Sequence, residues 1–195
     1  MNAPAVPAPS PSRCKRLKAA SSRDHDSVDE LVMGAQPFID RERYALFLQL
    51  QHRFHGSLVN LYQDADLNRT LPGLALLSRF AAVESDLRDL DQPLPAAPAP
   101  VELAHPAEAF GWLYCSEGSN LGAAFLFKET QRLGLDGEQG ARHLAAHPDG
   151  RAPHWRQFVA LVDAVELNSE EEAHAINGAI KAFDSYRQHL REIFA

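Results

Sequence analysis

The sequence predicts an all-α fold, a single-domain helical bundle, and three observations carry that prediction. Apolar residues recur every three or four positions over several long segments, as they do on the buried face of a helix. Helix start and stop signals flank these segments, and no run of alternating apolar and polar residues competes with them. The chain has 195 residues, of which 45% are hydrophobic, and this suits one compact domain with its own core.

The N-terminal part divides into a tail and a first helix. Residues 1–12 are mostly Pro, Ala and Ser and carry too little apolar surface to order themselves, so we expect a disordered tail and a folded domain over 13–195. Residues 13–33 have helical spacing, with an interruption expected around Ser21 and Ser22, where a cap could form. Pro37 marks the end of this segment.

Two further helices are predicted in the middle of the chain, at 41–62 and 74–90. The second follows Pro72 and Gly73, a helix start signal. The proline-rich segment 91–106 comes next and is long for a compact domain. It is either an extended strap across the surface or a mobile lid, and the sequence does not decide between them.

The C-terminal half predicts a long helix at 107–132, short helices at 138–144 and 154–165, and a closing helix at 169–194. The closing helix begins at a capping signal, Ser169 followed three residues later by Glu172.

Charge and cysteine content exclude several classes of protein. A net charge of −7 argues against a surface built to bind nucleic acid. Cys14 and Cys115 cannot form a disulfide framework, so we expect two thiols in a cytoplasmic protein. No apolar run is long enough to span a bilayer, so we expect no membrane partner.

The helix predicted at 107–132 carries an unusual strip of small residues. At 100° per residue, Gly118, Ser119 and Gly122 fall on one arc and expose bare backbone instead of side-chain knobs. Each glycine costs the helix roughly 1 kcal/mol relative to alanine. Two features use such a strip, namely a crossing helix packed very closely or a flat ligand laid over the backbone.

A candidate metal ligand lies near the start of the chain. His25 precedes Asp29 by four residues, which places both on one helix face. An imidazole that binds a metal through one nitrogen usually donates its other N–H to an acceptor such as a carboxylate. The alternative is a solvated surface histidine. The basic segment 13–18 upstream could pair with the carboxylates of an anionic ligand or be a solvated charge run.

Other metal sites are disfavoured by the sequence. The remaining histidine pairs, such as His143 with His147, do not supply the three or four converging ligands of zinc or di-iron sites. Cys115 sits on an apolar face that would raise its pKa, so we do not expect a thiolate ligand.

Taken together, the His25–Asp29 turn, the basic segment before it and the helix GWLYCSEGSNLGAAFLFK resemble the haem oxygenases, in particular the bacterial branch that takes iron from host haem. The similarity runs from about residue 13 to residue 194 and includes HDSVDELVM, FLQLQHRFHGSL, GARHLAAHPDG and HWRQFVALVDA. The N-terminal tail and the proline-rich segment depart from the pattern.

The resemblance implies a haem held between a proximal and a distal helix, with site residues of four kinds. His25 is the expected iron ligand, with Asp29 beside it. Gly118, Ser119 and Gly122 let the distal backbone approach the porphyrin. The remaining polar residues are those expected to hold water for proton delivery, Gln51, His55, Arg79 and Trp155, and those expected to hold the haem propionates, Lys18, Tyr114 and Tyr186.

The resemblance also implies the reaction. Haem serves as cofactor and substrate, and dioxygen and an external reductase or ferredoxin-like electron donor convert it to biliverdin, carbon monoxide and ferrous iron. The resemblance implies that members cleaving at the beta and delta carbons have a second lysine next to the one that matches Lys128. This sequence has Glu129 at that position, so we expect the alpha isomer. We further expect a monomer and a role in iron acquisition.

Two alternatives remain at this stage. One is a haem storage or sensing protein on the same fold without turnover. The other is an α-helical protein without haem, in which the glycine strip is a packing seam.

Overall fold

A computed structural model describes residues 12–195 of the chain and confirms the all-α prediction. The described residues form eight α-helices and one isolated bridge, between Asp136 and Gly140. The predicted tail at 1–12 falls, except for Ser12, outside the described residues. The helices are α1 (Arg13–Gly34), α2 (Arg41–Ser57), α3 (Val59–Gln63), α4 (Ala65–Thr70), α5 (Phe80–Asp89), α6 (Glu108–Gln131), α7 (Arg151–Ala164) and α8 (Ser169–Ile193).

Helix α1 is continuous, which corrects the expected interruption at Ser21 and Ser22. The Ser21 hydroxyl donates to the Leu17 carbonyl at 2.8 Å, so it is satisfied within the helix and does not cap a new one. The cap lies instead at Ser12, whose hydroxyl accepts from the Lys15 amide at 3.3 Å. The helix ends at Gly34, close to the predicted end.

The predicted helix at 41–62 is two helices, because its backbone ladder is broken at Leu58. The Ser57 carbonyl accepts from the Val101 amide of the proline-rich segment at 2.9 Å, and the Leu61 amide donates to Leu58 instead. A distant segment therefore ends α2. Helix α4 was not predicted, and 74–90 begins as a 3₁₀ turn at Leu74–Leu77 before α5 starts at Phe80.

The proline-rich segment 91–106 is a strap fastened across the surface. Asn60 donates to the Val101 carbonyl at 3.2 Å, beside the bond from Val101 to Ser57. The Pro98 ring lies so close to Gly56 that a methyl group on Gly56 would overlap it. In this structure the segment is therefore a strap and not an open lid.

Three elements of the C-terminal half differ from prediction mainly at their ends. The segment 138–144 forms only a 3₁₀ turn at Arg142–Leu144. Helix α7 begins at Arg151, three residues early. Helix α8 has its capping box at Asn168 and Glu171, one residue before the predicted signal, because the Asn168 side chain accepts from the Glu170 and Glu171 amides.

Helix α8 is the centre of the bundle. It packs extensively on α6 and on α1, while α1 and α6 touch each other little. At the α6–α8 crossing, a methyl group on Gly111 would overlap the Ala175 carbonyl, and one on Gly178 would overlap the Glu108 carbonyl. The two backbones therefore meet through glycine. No helix within 12–195 is long and apolar enough to cross a membrane.

Candidate functional site

Helices α1 and α6 both pack on α8 and hardly on each other, and we refer to the region between them as the cleft. The two walls are close at the turn of α1 that holds Asp24, since the charge of this residue, after burial, contributes to raising the pKa of the Cys115 thiol on α6. Cys115 lies on the same arc of α6 as Gly118 and Gly122. The glycine strip therefore lies on the side of α6 that, at Cys115, comes near this turn of α1.

On the α1 wall, the side chain of His25 is 59% exposed and makes polar contacts through one ring nitrogen. Its Nδ1 lies 3.4 Å from Oδ2 of Asp29 and 3.7 Å from Oδ1 of Asp26. Among residues 12–195 these are its polar partners, so Nε2 remains for a ligand. Exposure, a free nitrogen and a carboxylate at the other nitrogen are the features that a metal-binding histidine needs.

Helix α8 holds the turn of α1 that carries His25. The Arg187 guanidinium donates to the Asp24 carboxylate at 2.9 Å and to the Asp24 carbonyl at 3.3 Å. The Phe183 ring meets the His25 ring edge-on, with centroids 5.9 Å apart. The imidazole is thus positioned from behind by α8 while its outer side stays open.

On the α6 wall, the glycines differ in what they touch. A methyl group on Gly122 would meet nothing within 4 Å, and one on Gly118 would lie 3.5 Å from the Trp155 ring. Gly111, two turns earlier, is filled by α8. The two uses of a glycine strip considered from the sequence are therefore separated along one helix, with close packing against α8 at Gly111, open backbone at Gly122, and Gly118 in contact only with the Trp155 ring.

The open strip has an apolar border. Leu121 is 42% exposed and Phe125 is 54% exposed, and at 100° per residue both flank the strip on α6. Large apolar side chains exposed together mark a surface that binds something apolar. Open backbone with apolar borders, facing an imidazole with a free nitrogen, fits a flat apolar ring system with a metal at its centre.

Three residues were predicted to hold propionates, and the structure places them differently. Lys18 is exposed, two turns before His25 on the same face of α1. Tyr114 is half-buried, one turn before Gly118, with its ring 5.7 Å from that of Trp155. The Tyr186 hydroxyl accepts from the Gln51 amide at 2.7 Å, which leaves its own O–H available to donate. Their predicted role stays a prediction.

The basic segment 13–18 does not act as one patch, because two of its members are engaged in the fold. Arg13 is 4% exposed and donates to the Val165 carbonyl at 2.6 Å, to the Val162 carbonyl and to Glu172. Arg16 pairs with the same Glu172 carboxylate at 2.6 Å. Lys15 and Lys18 alone remain exposed.

Of the four residues predicted behind the distal helix, Gln51 and His55 are buried, whereas Arg79 and Trp155 are half-buried. Gln51, His55 and Arg79 lie near one another. Gln51 bonds Tyr186, and Arg79 donates to the carbonyls of His143 and Ala145. Burial, with the nearby His143 and Arg79, lowers the pKa of His55 to about 3, so its ring is neutral. Its Nδ1 has no partner among the described residues. Such an atom can hold water.

Trp155, the fourth of these residues, lies apart from the other three. It belongs to α7, packs against the Gly118 position, and stacks on Phe158 with ring centroids 5.8 Å apart. No hydrogen bond joins it to Gln51, His55 or Arg79 within the described chain. The structure therefore places it as an apolar neighbour of the strip.

A buried carboxylate next to the strip was not predicted from the sequence. Glu117 is 1% exposed, and its Oε1 accepts from the Tyr62 hydroxyl at 2.5 Å. Its Oε2 accepts from the Asn120 amide at 3.3 Å and lies 2.8 Å from Nε2 of His154. The sequence does contain a sign of a buried polar group, since Ser116, Glu117 and Asn120 form a second polar stripe on an otherwise apolar helix.

A cavity of about 190 Å³ adjoins this carboxylate. Its lining includes the polar residues Arg79, Glu117, His143 and His154. His143 bonds Asp86 through Nδ1 at 2.7 Å, and its buried Nε2 has no partner among the described residues. A cavity of this size with these polar groups in its lining can hold water.

Other metal centres find no support in the described part of the chain. It contains no group of three or more His, Cys, Asp or Glu side chains arranged to hold an ion. Burial raises the pKa of Cys115 well above its ordinary value, so it remains a thiol.

Comparisons with known proteins identify the family of the chain. The family model described as Heme oxygenase matches residues 12–192. Heme oxygenase PigA of Pseudomonas aeruginosa is 44% identical over 185 residues, which cover 94% of this chain and 93% of that protein. A heme oxygenase of Xanthomonas campestris pv. campestris is 30% identical over 148 residues, or 76% of this chain and 88% of that one. The crystal structure of NO- and CO-bound heme oxygenase from Neisseria meningitidis matches with a TM-score of 0.86 and 50% identity, covering 94% of this chain and 92% of that one.

Proposed function

Since the chain belongs to the haem oxygenase family and is a haem-degrading enzyme, we propose that its substrate binds in the cleft between α1 and α6. His25 would lie on one face of the haem and the open backbone of Gly118 and Gly122 on the other. The observation that carries this proposal is the open space at Gly122 on a helix whose Gly111 is tightly filled.

The proximal contribution is an oriented imidazole. The Asp29 carboxylate lies 3.4 Å from Nδ1, so Nδ1 is the ring nitrogen placed to donate to it and Nε2 is the one placed to bind a metal. Phe183 and the bond from Arg187 to Asp24 limit how far the ring and its turn can move. When bound, haem supplies the site for dioxygen activation, and electrons enter from an external donor.

The distal contribution is backbone and ordered water. Gly118, Ser119 and Gly122 place no bulky side chain over the haem, so access is limited by main chain and by the borders Leu121 and Phe125. The Ser119 hydroxyl donates to the Ser116 carbonyl at 2.7 Å and is thus held along the helix. Gln51, His55 and Arg79 hold water behind α6, and the unpartnered Nδ1 of His55 supports that assignment.

The propionates set which meso carbon is cut, and we propose the alpha carbon. Lys18, Tyr114 and Tyr186 are available as donors along the two walls. Glu129 lies on the line of the strip and is paired with Arg132 at 2.5 Å, so part of its repulsion toward a propionate is offset. Extraction of the pigment and chromatography against isomer standards tests this assignment, and mainly beta or delta biliverdin would overturn it.

The physiological setting follows from the same resemblance. We propose iron acquisition from haem, in a cytoplasmic monomer reduced by a ferredoxin-like or reductase partner. The free thiols Cys14 and Cys115 support a reducing compartment. Transcript levels that rise under iron limitation in the source organism support the role, and levels independent of iron argue against it.

One experiment tests the enzymatic proposal and its rival together. The purified protein is mixed with hemin, given ascorbate in air, and followed by its absorption spectrum. Decay of the Soret band to a biliverdin spectrum supports the enzyme, whereas a persistent oxygenated complex supports storage or sensing. His25→Ala should lose the wild-type spectrum and recover it in part with added imidazole; an unchanged spectrum in His25→Ala would exclude His25 as the ligand.

A further inference from the structure

We propose that Glu117 is a positioning residue that fixes the rotation of α6 about its axis and so directs the Gly118–Gly122 backbone into the cleft. This inference rests on the proposed function, because the surface it positions is the proposed haem-facing one. The argument uses the burial of the carboxylate, its partners and its place on the helix.

The carboxylate is anchored by two other helices of the fold and by one residue of its own helix. Tyr62 reaches it from α3 and His154 from α7, while Asn120 braces it within α6. The Tyr62 hydroxyl also lies 2.8 Å from the Ser116 hydroxyl, so two adjacent residues of α6 meet the same phenol. Hydrogen bonds to a carboxylate are short and directional, and here two of them come from different helices, α3 and α7. Together they resist rotation of the helix.

Packing does not hold the strip side of α6, although Ala123 and Phe127 pack into the core from the other side of the helix. Side-chain knobs normally set the rotation of a helix against its neighbours. Gly122 offers no knob and faces open space, and a methyl group on Gly118 would meet only the Trp155 ring. The N-terminal half of α6 is fixed by the crossing of Gly111 with α8 and by Glu108, which accepts from Asn177 and Lys181 of α8. Glu117 supplies the corresponding anchor beside the strip.

The chemistry of the anchor agrees with this role. Burial, together with the neighbouring Glu117 carboxylate, raises the pKa of Tyr62 well above its ordinary value, so Tyr62 stays a donor. Arg79 faces Glu117 across the cavity and supplies the opposite charge. The His147 ring stacks on His154 with centroids 4.5 Å apart, which limits rotation of the His154 ring. Tyr62 is therefore kept as a donor, and the His154 ring is itself held in place.

The test compares Glu117→Gln with Glu108→Gln, a matched change of a buried carboxylate on the same helix. Glu108 lies about 15 Å before Gly118 along the axis, so its loss should weaken the α6–α8 contact without turning the strip. Tyr62→Phe is the milder variant, since it removes one donor and leaves the charge. Two readouts are used, amide hydrogen exchange of residues 118–124 and steady-state turnover of hemin with isomer analysis.

We expect Glu117→Gln to speed exchange of residues 118–124 by about tenfold and to lower kcat by about tenfold or more with a smaller change in KM. The product should become a mixture of isomers. Tyr62→Phe should shift both readouts in the same direction by less, and Glu108→Gln should keep the wild-type isomer ratio even if its melting temperature falls.

Three results would overturn the inference. The first is a Glu117→Gln protein that melts earlier but keeps the wild-type isomer ratio and kcat, since that is a structural role only. The second is equal effects of Glu108→Gln and Glu117→Gln on the isomer ratio. The third is unchanged exchange of residues 118–124, which decides against the anchor even if wild-type protein does not degrade haem. Absence of wild-type turnover alone would refute the proposed function instead.

Discussion

Arg13 illustrates how a charged residue in a basic segment can be a structural part of the core. Its guanidinium is buried and meets carbonyls near the end of α7 together with the Glu172 carboxylate of α8. Those carbonyls have few helical partners because the helix ends there. Arg13 therefore joins α1, α7 and α8. The sequence could not reveal this, since the segment 13–18 has the composition of a solvated or ligand-binding run.

Arg13→Ala should lower the free energy of unfolding by about 3 kcal/mol, because it leaves buried carbonyls and a carboxylate without their donor. Hemin affinity of the folded protein should stay within about twofold of wild type. Urea denaturation and hemin titration measure the two quantities, and Lys15→Ala is the matched exposed control. An Arg13→Ala protein with wild-type stability and weakened hemin binding would contradict the structural role and indicate that Arg13 binds the ligand.

The residues of the candidate site were predictable to different degrees. His25 and Asp29 were found from their spacing, and the structure brings the ring and carboxylate together. Gln51, His55 and Arg79 came from the resemblance alone, and burial behind α6 suits them to hold water. Glu117 was missed because the polar stripe it forms with Ser116 and Asn120 does not reveal its other partners, Tyr62 and His154, which lie 55 and 37 positions away.

Helix α6 combines two uses of glycine within one element. Periodicity predicted both ends to within one residue of Glu108–Gln131. It could not predict which glycine packs and which is open, because that depends on where α8 crosses. The break at Leu58 has a similar origin, since the strap removes the Ser57 carbonyl from the helix. Local sequence patterns do not predict contacts of this kind between distant segments.

Gly111→Ala should lower the free energy of unfolding by about 3 kcal/mol, since the methyl group would overlap the α8 backbone and force the helices apart. Gly122→Ala on the same helix is the control, and should raise stability by up to about 1 kcal/mol because alanine favours helix and meets open space. Chemical denaturation of the haem-free proteins measures both. Equal stability of the two variants would contradict the crossing described for α6 and α8.

At the scale of the whole molecule, buried neutral histidines link stability to pH. Burial lowers the pKa of His55 to about 3 and also lowers the pKa of His143, although Asp86 opposes the latter shift. As pH falls below the ordinary value of 6.5, the unfolded chain takes up these protons before the folded one does. The contribution of these histidines to the free energy of unfolding is therefore complete above about pH 6.5, and it is lost as the pH falls toward 3.

The loss should amount to as much as about 1.4 kcal/mol per pH unit for each such histidine. The carboxyl groups of Asp89, Glu108 and Glu172 have lowered pKa values. Their contribution to stability is lost only below their unfolded pKa values of 3.8 to 4.5, and so does not affect measurements at pH 5.5 and above. Urea midpoints of the haem-free protein at pH 7.5, 6.5 and 5.5 measure the slope. His55→Gln should flatten it, and a midpoint independent of pH in this range would contradict the buried neutral state.

The fold as a whole was predictable because helical periodicity recurs along the chain and nothing competes with it. The cleft was not predictable from periodicity, since it exists only because α8 separates α1 from α6. The resemblance to a family supplied that arrangement, and the described structure gives its physical basis.

Hemin binding by Gly122→Leu tests most directly whether the open strip of α6 faces the haem. The Cβ of the leucine meets nothing within 4 Å in the haem-free protein, residue 122 is exposed, and leucine favours helix, so stability should be unchanged or slightly raised. The same side chain would occupy the haem position, so the Kd for hemin should rise at least about tenfold. Wild-type hemin affinity and wild-type turnover in a stable Gly122→Leu protein would contradict the account.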